Sequence, residues 1–316
     1  MFTSLEICAG AGGQALGLER AGFGHVALVE LDPHACSTLK SNRPGWNVIE
    51  GDIRAFSGTP YRGTGLLAGG IPCPPFSKAG KQLGAGDERD LFPEAVRLVD
   101  ECRPLAVMLE NVRGLLDAVF DDFRNRIQRQ LERLGYVPSW KLLNSSDFGV
   151  SQLRPRVVFV ALRKGLAEGF SWPDPVPGGP PTVGELLHDL MKARGWRAAD
   201  RWRERASSVA PTLVGGSRKH GGPDLGPTRA KTAWAGLGVD GNGLWDEAPP
   251  RDFVGMPRLT NRMAARLQGF PDSWIFSGGK TAVYRQIGNA FPPPVAAAVG
   301  GRIFAALSAR QVFRAK

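Results

Sequence analysis

The sequence predicts an α/β fold with a doubly wound sheet that carries helices on both faces, joined to a second, smaller and loop-rich domain. From Ser4 to about Arg163, short apolar and β-branched runs alternate with helix-like segments, as they do in such a sheet. Residues 165–257 then hold 27 of the 66 Gly and Pro residues and five of the eight Trp. At 316 residues the chain is long enough for both domains.

Each element follows from its local pattern. The apolar runs predict strands at Leu5–Cys8, Val26–Glu30, Leu66–Ala68, Ala106–Glu110 and Val157–Leu162. The segments between them predict helices at Gln14–Ala21, Pro33–Ser41, Asp90–Cys102 and Asp121–Leu134. Ligands of such a sheet belong at the carboxyl ends of its strands.

Proline and glycine mark a domain boundary after Trp172, because the sequence from Pro173 to Pro181 cannot continue a regular element. The predicted first domain comprises residues 1–173 and 281–316, and the second comprises residues 174–280. The final segment, Phe291–Arg310, has the Ala-rich composition of a helix.

Composition narrows the class of protein. The net charge of +10, with 30 Arg among the 40 basic residues, indicates a polyanionic partner or simply a basic surface. Residues 192–231 supply a net +7 of this excess. We expect no membrane-spanning helix, no secretory signal and therefore a cytoplasmic protein, and four widely spaced Cys suggest neither zinc nor disulfides.

Polar groups follow three successive predicted strands. The glycine-rich loop Gly10–Gly13 opens a helix, Glu30 ends the second strand, and Asp52 follows the next apolar run. Glycines let a ligand approach the backbone, while carboxylates can accept hydrogen bonds from ribose hydroxyls and an adenine amino group. The pattern favours a nucleoside pocket for either a nicotinamide cofactor or S-adenosylmethionine; turns without any ligand are the alternative.

Three further features lie at the same predicted edge. Prolines at 72, 74 and 75 frame Cys73 and display it on a rigid loop, although a lone Cys is usually an inert core residue. Glu110 ends an apolar strand and is a candidate acid, or a structural partner of Arg113. Arg154 and Arg156 alternate into another strand, where solvated edge charges are the alternative.

Together these motifs resemble the DNA (cytosine-5) methyltransferase family, from residue 3 to about residue 300 outside 165–257. The resemblance rests on six motifs in the family's order: Cys8–Gly13, Pro72–Cys73, Glu110–Val112, the Gln152, Arg154 and Arg156 pattern, Arg266–Pro271, and Tyr284–Pro293. It implies a Rossmann-like, S-adenosylmethionine-dependent methyltransferase domain and a target-recognition domain at 174–280.

The resemblance also implies roles for individual residues. Cys73 attacks carbon 6 of an extruded cytosine, Glu110 holds ring nitrogen N3 with a carboxyl whose pKa must be raised to donate, and Arg156 with Arg154 holds the carbonyl oxygen. The implied cofactor-binding residues are Cys8, Ala9, Gly10, Gly12, Gly13, Glu30, Leu31, Asp52, Ile53, Gly70, Leu91 and Asn289. The implied DNA-binding residues are Ser77, Thr212, Arg218 and Lys219.

Three residues depart from the family pattern. Cys8 stands where the family usually has a Phe that packs on the adenine, Glu6 replaces the usual Asp, and Pro74 replaces the usual Gln after the nucleophile. The first change could weaken cofactor binding, and the last removes an amide that would face the DNA. None of the three removes a group that makes or breaks bonds.

The leading hypothesis is a sequence-specific DNA cytosine-5 methyltransferase of a bacterial restriction-modification system. We expect double-stranded DNA as the substrate, a restriction endonuclease that acts on the same site, a monomeric state and association with the nucleoid when DNA is bound. An RNA (tRNA) cytosine-5 methyltransferase is the nearest rival. A nicotinamide-dependent oxidoreductase would have no use for Cys73, and a non-catalytic DNA-binding homologue would not need Cys73 and Glu110.

Overall fold

The structure, a computed structural model, describes residues 1–72, 90–215 and 222–314, with side chains to residue 309. Its sheet contains seven strands in the order β3-β2-β1-β4-β5-β7-β6. In chain order these are β1 Thr3–Ile7, β2 Gly24–Glu30, β3 Val48–Glu50, β4 Leu66–Gly70, β5 Ala106–Val112, β6 Tyr136–Asn144 and β7 Pro155–Arg163.

Strand directions bring a site to one edge of the sheet. Strands β1 to β5 pair in parallel, so that their carboxyl ends share an edge. The chain order reverses between β1 and β4, which is the position where open α/β sheets bind ligands. Strand β7 runs antiparallel to β5 and places its first residues at this same edge, with Arg156 opposite Val112.

Helices cover the sheet because each has an apolar face. They are α1 Gly13–Arg20, α2 Pro33–Asn42, α3 Phe92–Cys102, α4 Asp121–Arg133 and, at the end of the chain, α10 Pro293–Arg314. In α3 the buried residues Ala95, Leu98, Val99 and Cys102 recur at helical spacing. Helix α2 begins where the Asp32 side chain accepts a hydrogen bond from the His34 N–H, 2.9 Å away.

The core is built from the interior strands. Leu5, Ile7, Leu67, Val107 and Leu109 are almost fully buried and pack with the apolar faces of α3 and α4. Because the strands carry apolar residues on both sides, they form a sheet that is covered on both faces. This rigid layer fixes the positions of the residues that follow each strand.

The chain divides into two compact units. The first comprises Met1–Leu143, Pro155–Asp174 and Val295–Lys316, and the second comprises Asn144–Arg154 and Pro175–Pro294. These units reflect packing alone. The predicted division of function stays a prediction: it assigns one function to residues 1–173 with 281–316 and another to residues 174–280.

The second unit contains helices where the sequence analysis predicted mainly loops. They are α5 Val183–Lys192, α6 Ala199–Arg205, α7 Thr228–Gly236, α8 Asn261–Leu267 and α9 Lys280–Asn289. A capping box of Thr182 and Glu185 starts α5. Three of the five Trp within residues 165–257, namely Trp196, Trp202 and Trp234, are buried in this unit.

One helical stretch of the described residues, Lys280–Ala309, is long and apolar enough to cross a membrane by length and composition alone. More than half of its apolar window is buried inside the protein. Within the first unit, Phe304 of α10 makes edge-to-face contacts with Phe2 and Phe23. The stretch therefore has the packing of a core helix, which makes its composition weak evidence for a membrane segment.

Candidate active site

The loop between β1 and α1 has the backbone shape of a ligand-binding turn. Cys8, Gly10 and Gly12 all adopt positive φ angles, of 51°, 55° and 85°. Only glycine adopts this region without strain, so Cys8 is held there by its surroundings. Among the described residues other than its two chain neighbours, no atom lies within 4 Å of the position that a Cβ of Gly10 would occupy, which leaves open space beside this residue.

Hydrogen bonds tie this loop to its neighbours. The Ala9 N–H donates to the carbonyl of Val29, 3.1 Å away, and the Gly12 N–H donates to the carbonyl of Ala9. Gly13 then begins α1. The predicted cofactor-binding residues from Cys8 to Gly13 thus form one ordered turn next to the end of β2.

Glu30 links the first two strand ends. Its Oε2 accepts a hydrogen bond from the Gly10 N–H at 2.7 Å, and its Oε1 accepts one from the Asp32 N–H at 2.8 Å. Burial raises the pKa of Glu30, while these backbone donors oppose the rise. The Leu31 N–H also bonds to this carboxylate, whose remaining lone pair can accept from a hydroxyl.

Leu31, Asp52 and Ile53 border the same edge in different ways. Leu31 exposes 59% of its surface, although it is apolar, whereas Ile53 is buried in the core. Asp52 forms an ion pair with Arg54, whose Nη2 lies 2.7 Å from Oδ2, and this contact lowers the pKa of Asp52. An adenine amino group would have to share this carboxylate with Arg54.

Gly70, at the end of β4, lies between the Cys8–Gly13 loop and the candidate acid Glu110. A Cβ at Gly70 would stand 3.5 Å from Oε2 of Glu110 and 3.9 Å from the carbonyl oxygen of Cys8. Leu91, a predicted cofactor contact, lies directly before α3 and packs against the core. The structure thus brings Cys8, Gly70 and Glu110 together.

Glu110 pairs with Arg156. The Nε of Arg156 lies 2.7 Å from Oε1 of Glu110, and both side chains are close to nine-tenths buried. Glu110 faces Val158 across the ladder, so Arg156 is its diagonal neighbour on the same face. The structural alternative, a salt bridge to Arg113, is not the pairing that the structure has.

Asn111 is a functional candidate that the sequence analysis included in a motif without assigning it a role. It is buried, its Nδ2 donates to the Ile71 carbonyl at 3.1 Å, and its Oδ1 accepts from the Val112 N–H at 2.8 Å. The side chain therefore fixes the backbone two residues before Cys73. The position of the Asn111 amide directly after Glu110, near the end of an apolar strand, was the signal in the sequence that could have identified it.

Arg154 lies apart from Arg156 because β7 begins only at Pro155. It is fully buried in the second unit, where its guanidinium donates to the carbonyls of Leu213, Gly288 and Ala290. The prediction that both arginines share one strand face was wrong. A contact between Arg154 and a cytosine stays a prediction.

Two more predicted residues belong to the second unit. The Thr212 hydroxyl donates to the Leu153 carbonyl at 2.5 Å. Asn289 is the exposed last residue of α9. Their predicted contacts, with DNA and with the cofactor respectively, stay predictions. Cys73, Ser77, Arg218 and Lys219 lie outside the described residues.

Comparison with known proteins agrees with these features. A family model for C-5 cytosine-specific DNA methylase matches residues 2–222 and 243–305. Type II methyltransferase M.NgoMIV of Neisseria gonorrhoeae is 60% identical over 97% of this chain and 98% of its own length. Type II methyltransferase M.NaeI of Lentzea aerocolonigenes is 58% identical over 96% of this chain and 75% of its own length.

Solved structures support the fold. A DNA modification methyltransferase encoded within an E. coli prophage has a TM-score of 0.69 at 24% identity, over 98% of this chain and 100% of that chain. The Dnmt2 methyltransferase of S. pombe has a TM-score of 0.61 at 15% identity, over the full length of both chains. At these identities the likeness concerns the fold alone.

Proposed function

We propose a mechanism on the premise that the chain belongs to the C-5 cytosine-specific DNA methylase family and methylates carbon 5 of cytosine in DNA. The single observation that carries the mechanism is the buried pair of Glu110 and Arg156 beside Gly70, at the strand edge where the Cys73 segment begins. A carboxyl and a guanidinium held together can bind one planar ring at several atoms at once.

S-adenosylmethionine, the cofactor of this family, fits the residues that are present. The open space at Gly10 admits a ligand, the Glu30 carboxylate can accept from a ribose hydroxyl, and exposed Leu31 offers an apolar surface to the adenine. Cys8, Ala9, Gly12, Gly13, Asp52, Ile53, Gly70, Leu91 and Asn289 complete the proposed set. When bound, the cofactor supplies an electrophilic methyl group.

Cys73 acts as the nucleophile in this proposal. Its thiolate forms a bond to carbon 6 of cytosine, and the electron pair of the C5=C6 double bond moves into the ring, which makes carbon 5 nucleophilic. After carbon 5 has been methylated, a base removes the proton at that carbon. The carbon–sulfur bond then breaks, the C5=C6 double bond is restored, the N3 proton returns to Glu110, and the thiolate leaves.

Glu110 and Arg156 orient the ring and stabilise its charge. Glu110 holds N3 and the exocyclic amine, and it supplies a proton at N3 as the adduct forms. Arg156 donates to the carbonyl oxygen of the cytosine while its Nε keeps the Glu110 carboxylate in place. Arg154 contributes through the backbone that it holds.

The target base has to leave the stacked duplex before this chemistry can occur, at a cost of a few kcal/mol. We assign the compensating contacts to Ser77 and to Thr212, Arg218 and Lys219, the last three within a region of net charge +7 at 192–231. Arginines in such loops can read guanine edges, while other basic residues bind phosphates. Residues 174–280 are thus the proposed target-recognition domain.

The same relatives, which are named as Type II methyltransferases, support a proposal for the biological setting. We place the protein in a restriction-modification system, as a monomer in the bacterial cytoplasm that associates with the nucleoid when it binds DNA. A restriction endonuclease that cleaves the same sequence is its proposed counterpart. The RNA rival predicts methylation of tRNA instead, and label transferred from the cofactor to tRNA alone would support it.

A trapping experiment tests the mechanism. Duplex DNA with 5-fluorocytosine at the methylated position is incubated with the enzyme and S-adenosylmethionine, because fluorine at carbon 5 prevents release of the adduct. We expect a covalent complex that survives denaturation, with the linkage mapped to Cys73 by mass spectrometry. Cys73→Ser should give none, and an intact enzyme without any adduct would refute the mechanism.

A second cysteine provides the matched control. The thiol of Cys102 is buried and lies 3.3 Å from the Gly58 carbonyl, a bond that a serine hydroxyl can also form. Cys102→Ser should therefore form the covalent complex in full yield.

A further inference from the structure

Three fully buried polar side chains of the second unit form a connected group, here called the Arg154 cluster: Gln152, Arg154 and Gln268. The Gln152 Nε2 donates to Oε1 of Gln268 at 2.7 Å and lies 3.2 Å from the Leu267 carbonyl. The guanidinium of Arg154 donates three hydrogen bonds to main-chain carbonyls. The cluster thus connects residues 152–154 to main-chain segments that are remote in the sequence.

On one side, the cluster fixes the backbone next to Thr212. Both main-chain groups of Leu213 are bound by side chains of the same short segment. Its N–H donates to Oε1 of Gln152 at 2.8 Å, and its carbonyl accepts from Nη1 of Arg154 at 2.7 Å. Residues 211–215 belong to no helix or strand. The cluster holds Leu213, while the Thr212 hydroxyl bonds to the Leu153 carbonyl of the same short segment.

On the other side, the same guanidinium fixes the backbone around Asn289. Nη2 of Arg154 donates to the carbonyl of Gly288 at 2.7 Å and to that of Ala290 at 3.0 Å, the two residues that flank Asn289. The Ala290 carbonyl also accepts from Nε2 of Gln268 at 2.5 Å. One side chain therefore holds both neighbours of Asn289 and the neighbour of Thr212.

The two held segments also touch each other directly. A Cβ at Gly288 would stand 2.4 Å from the Gly215 nitrogen, and a Cβ at Gly215 would stand 2.5 Å from Oδ1 of Asn289. Real Cβ contacts essentially never come this close. Residues 213–215 and 288–290 thus pack backbone against backbone, and a displacement of one segment has to displace the other.

We infer that Arg154 is a positioning residue that couples DNA binding to cofactor binding. The inference rests on the proposed function, which assigns Thr212 to DNA and Asn289 to S-adenosylmethionine. Arg154 holds both segments in one arrangement, so a ligand that binds this arrangement stabilises it for the other ligand as well. By linkage, DNA raises the affinity for the cofactor by the same factor as the cofactor raises the affinity for DNA.

Equilibrium binding measures this coupling. The dissociation constant of S-adenosylhomocysteine, which cannot donate a methyl group, is measured by calorimetry with and without cognate duplex. The reverse titration gives the same ratio for DNA. We expect a coupling factor of about 5-fold or more in the unmodified protein. Arg154→Lys keeps the charge but cannot reach three carbonyls, and it should reduce the factor to below about 2-fold.

Arg163→Lys is the matched control. Arg163 also donates to main-chain carbonyls, those of Pro104 and Arg103, but in the first unit at the end of β7. It should keep the full coupling factor. Should Arg154→Lys fail to fold, Gln152→Leu is measured against the same criterion; it removes the acceptor for the Leu213 N–H and the donor to Gln268 and Leu267, but keeps the guanidinium.

Two results would overturn the inference: full coupling in the folded Arg154 or Gln152 variant, or no coupling in the unmodified protein. The proposed mechanism is tested separately, by formation of the 5-fluorocytosine adduct in the unmodified enzyme.

Thr212→Ala and Asn289→Ala test the two assignments, of Thr212 to DNA and of Asn289 to S-adenosylmethionine. The first should weaken DNA binding alone and the second cofactor binding alone, when each ligand is titrated without the other; an unchanged constant removes that assignment and the inference with it.

Discussion

Nε of Arg156 lies 2.7 Å from Oε1 of Glu110, across two antiparallel strands that meet at the edge where five parallel strands end. The pair is nearly buried, and its geometry is set by the ladder rather than by flexible side chains. Coulomb attraction is stronger in such a site than at a surface. The relationship makes Arg156 the residue whose replacement should affect the chemistry most directly after Cys73 and Glu110.

Arg156→Lys should lower kcat by about 100-fold to 1000-fold, the loss expected when a preorganised donor to a developing charge is removed. Lysine keeps the positive charge but lacks the fork that can bind the carboxylate and a substrate oxygen together. The measurement is single-turnover methylation of cognate duplex. Arg113→Lys, at an exposed position near Glu110, should retain the normal rate. A normal rate in Arg156→Lys would contradict the proposed role.

Gly10→Ala should raise KM for S-adenosylmethionine at least tenfold, because the methyl group enters the open space beside the loop. The measurement is initial rate against cofactor concentration at saturating DNA. The backbone at Gly10 has φ of 55°, so the substitution also costs about 1–2 kcal/mol of stability.

Gly63→Ala separates these two effects. Gly63 has φ of 84° and nothing within 4 Å of its Cβ position, but it lies before β4, at the opposite edge of the sheet. Gly63→Ala should show a fall in Tm similar to that of Gly10→Ala, with an unchanged KM for S-adenosylmethionine. Equal KM values in both variants would place the cofactor elsewhere.

Gly70→Ala and its neighbour Gly69→Ala should have opposite consequences. The added Cβ at Gly70 meets Oε2 of Glu110 at an ordinary contact distance of 3.5 Å, so we expect a stable protein with reduced kcat. At Gly69 the Cβ would lie 2.7 Å from the Ile7 carbonyl oxygen, which should lower the free energy of unfolding by about 1–3 kcal/mol. Chemical denaturation and steady-state kinetics distinguish the two. A fully active Gly70→Ala would disprove crowding of the site.

A buried carboxyl should make stability depend on pH. Burial raises the pKa of Glu6 to about 8, while burial lowers the pKa of its neighbour His25 to about 4. From pH 6.5 to 8 the folded protein retains the Glu6 proton that the unfolded chain has lost. The free energy of unfolding should therefore fall as pH rises through this window, by up to about 2 kcal/mol.

The His25 contribution has the opposite sign at lower pH. Between pH 4 and 6.5 the unfolded chain binds a proton that folded His25 does not, so this contribution rises with pH and offsets that of Glu6. Urea denaturation across pH 5 to 8 measures both. Glu6→Gln should abolish the fall above pH 6.5, whereas Glu94→Gln, at a partly exposed ion pair, should preserve it. A flat profile in the unmodified protein would contradict the expectation.

Hydropathy patterns predicted the sheet well where each strand was continuous and apolar. The five predicted strands and four predicted helices of the first domain all exist, with ends that differ by at most two residues. Strand β6, Tyr136–Asn144, was missed because its residues are half exposed and include Pro138 and Lys141. Helices α5 to α7 were missed because the surrounding Gly and Pro concealed short helical segments.

The sequence analysis predicted the residues of the site better than the contacts between them. Motif order identified Glu110 and Arg156, but only the antiparallel register shows that they pair with each other. The different setting of Arg154 could not be read from its spacing, because the acceptors Leu213, Gly288 and Ala290 are remote in sequence. Side-chain bonds to distant carbonyls leave no periodic signal.

The antiparallel direction of β7 restricts where the sequence of this enzyme can vary in length. A parallel strand contributes its last residues to the reactive edge, whereas β7 contributes its first. Insertions after Arg163 would extend the edge of the sheet opposite the site and leave Arg156 in register with Val112. A single residue inserted between Pro155 and Val158 would instead turn the guanidinium of Arg156 to the opposite face of the sheet. Variation in length should therefore be tolerated after β7 and eliminated at its beginning.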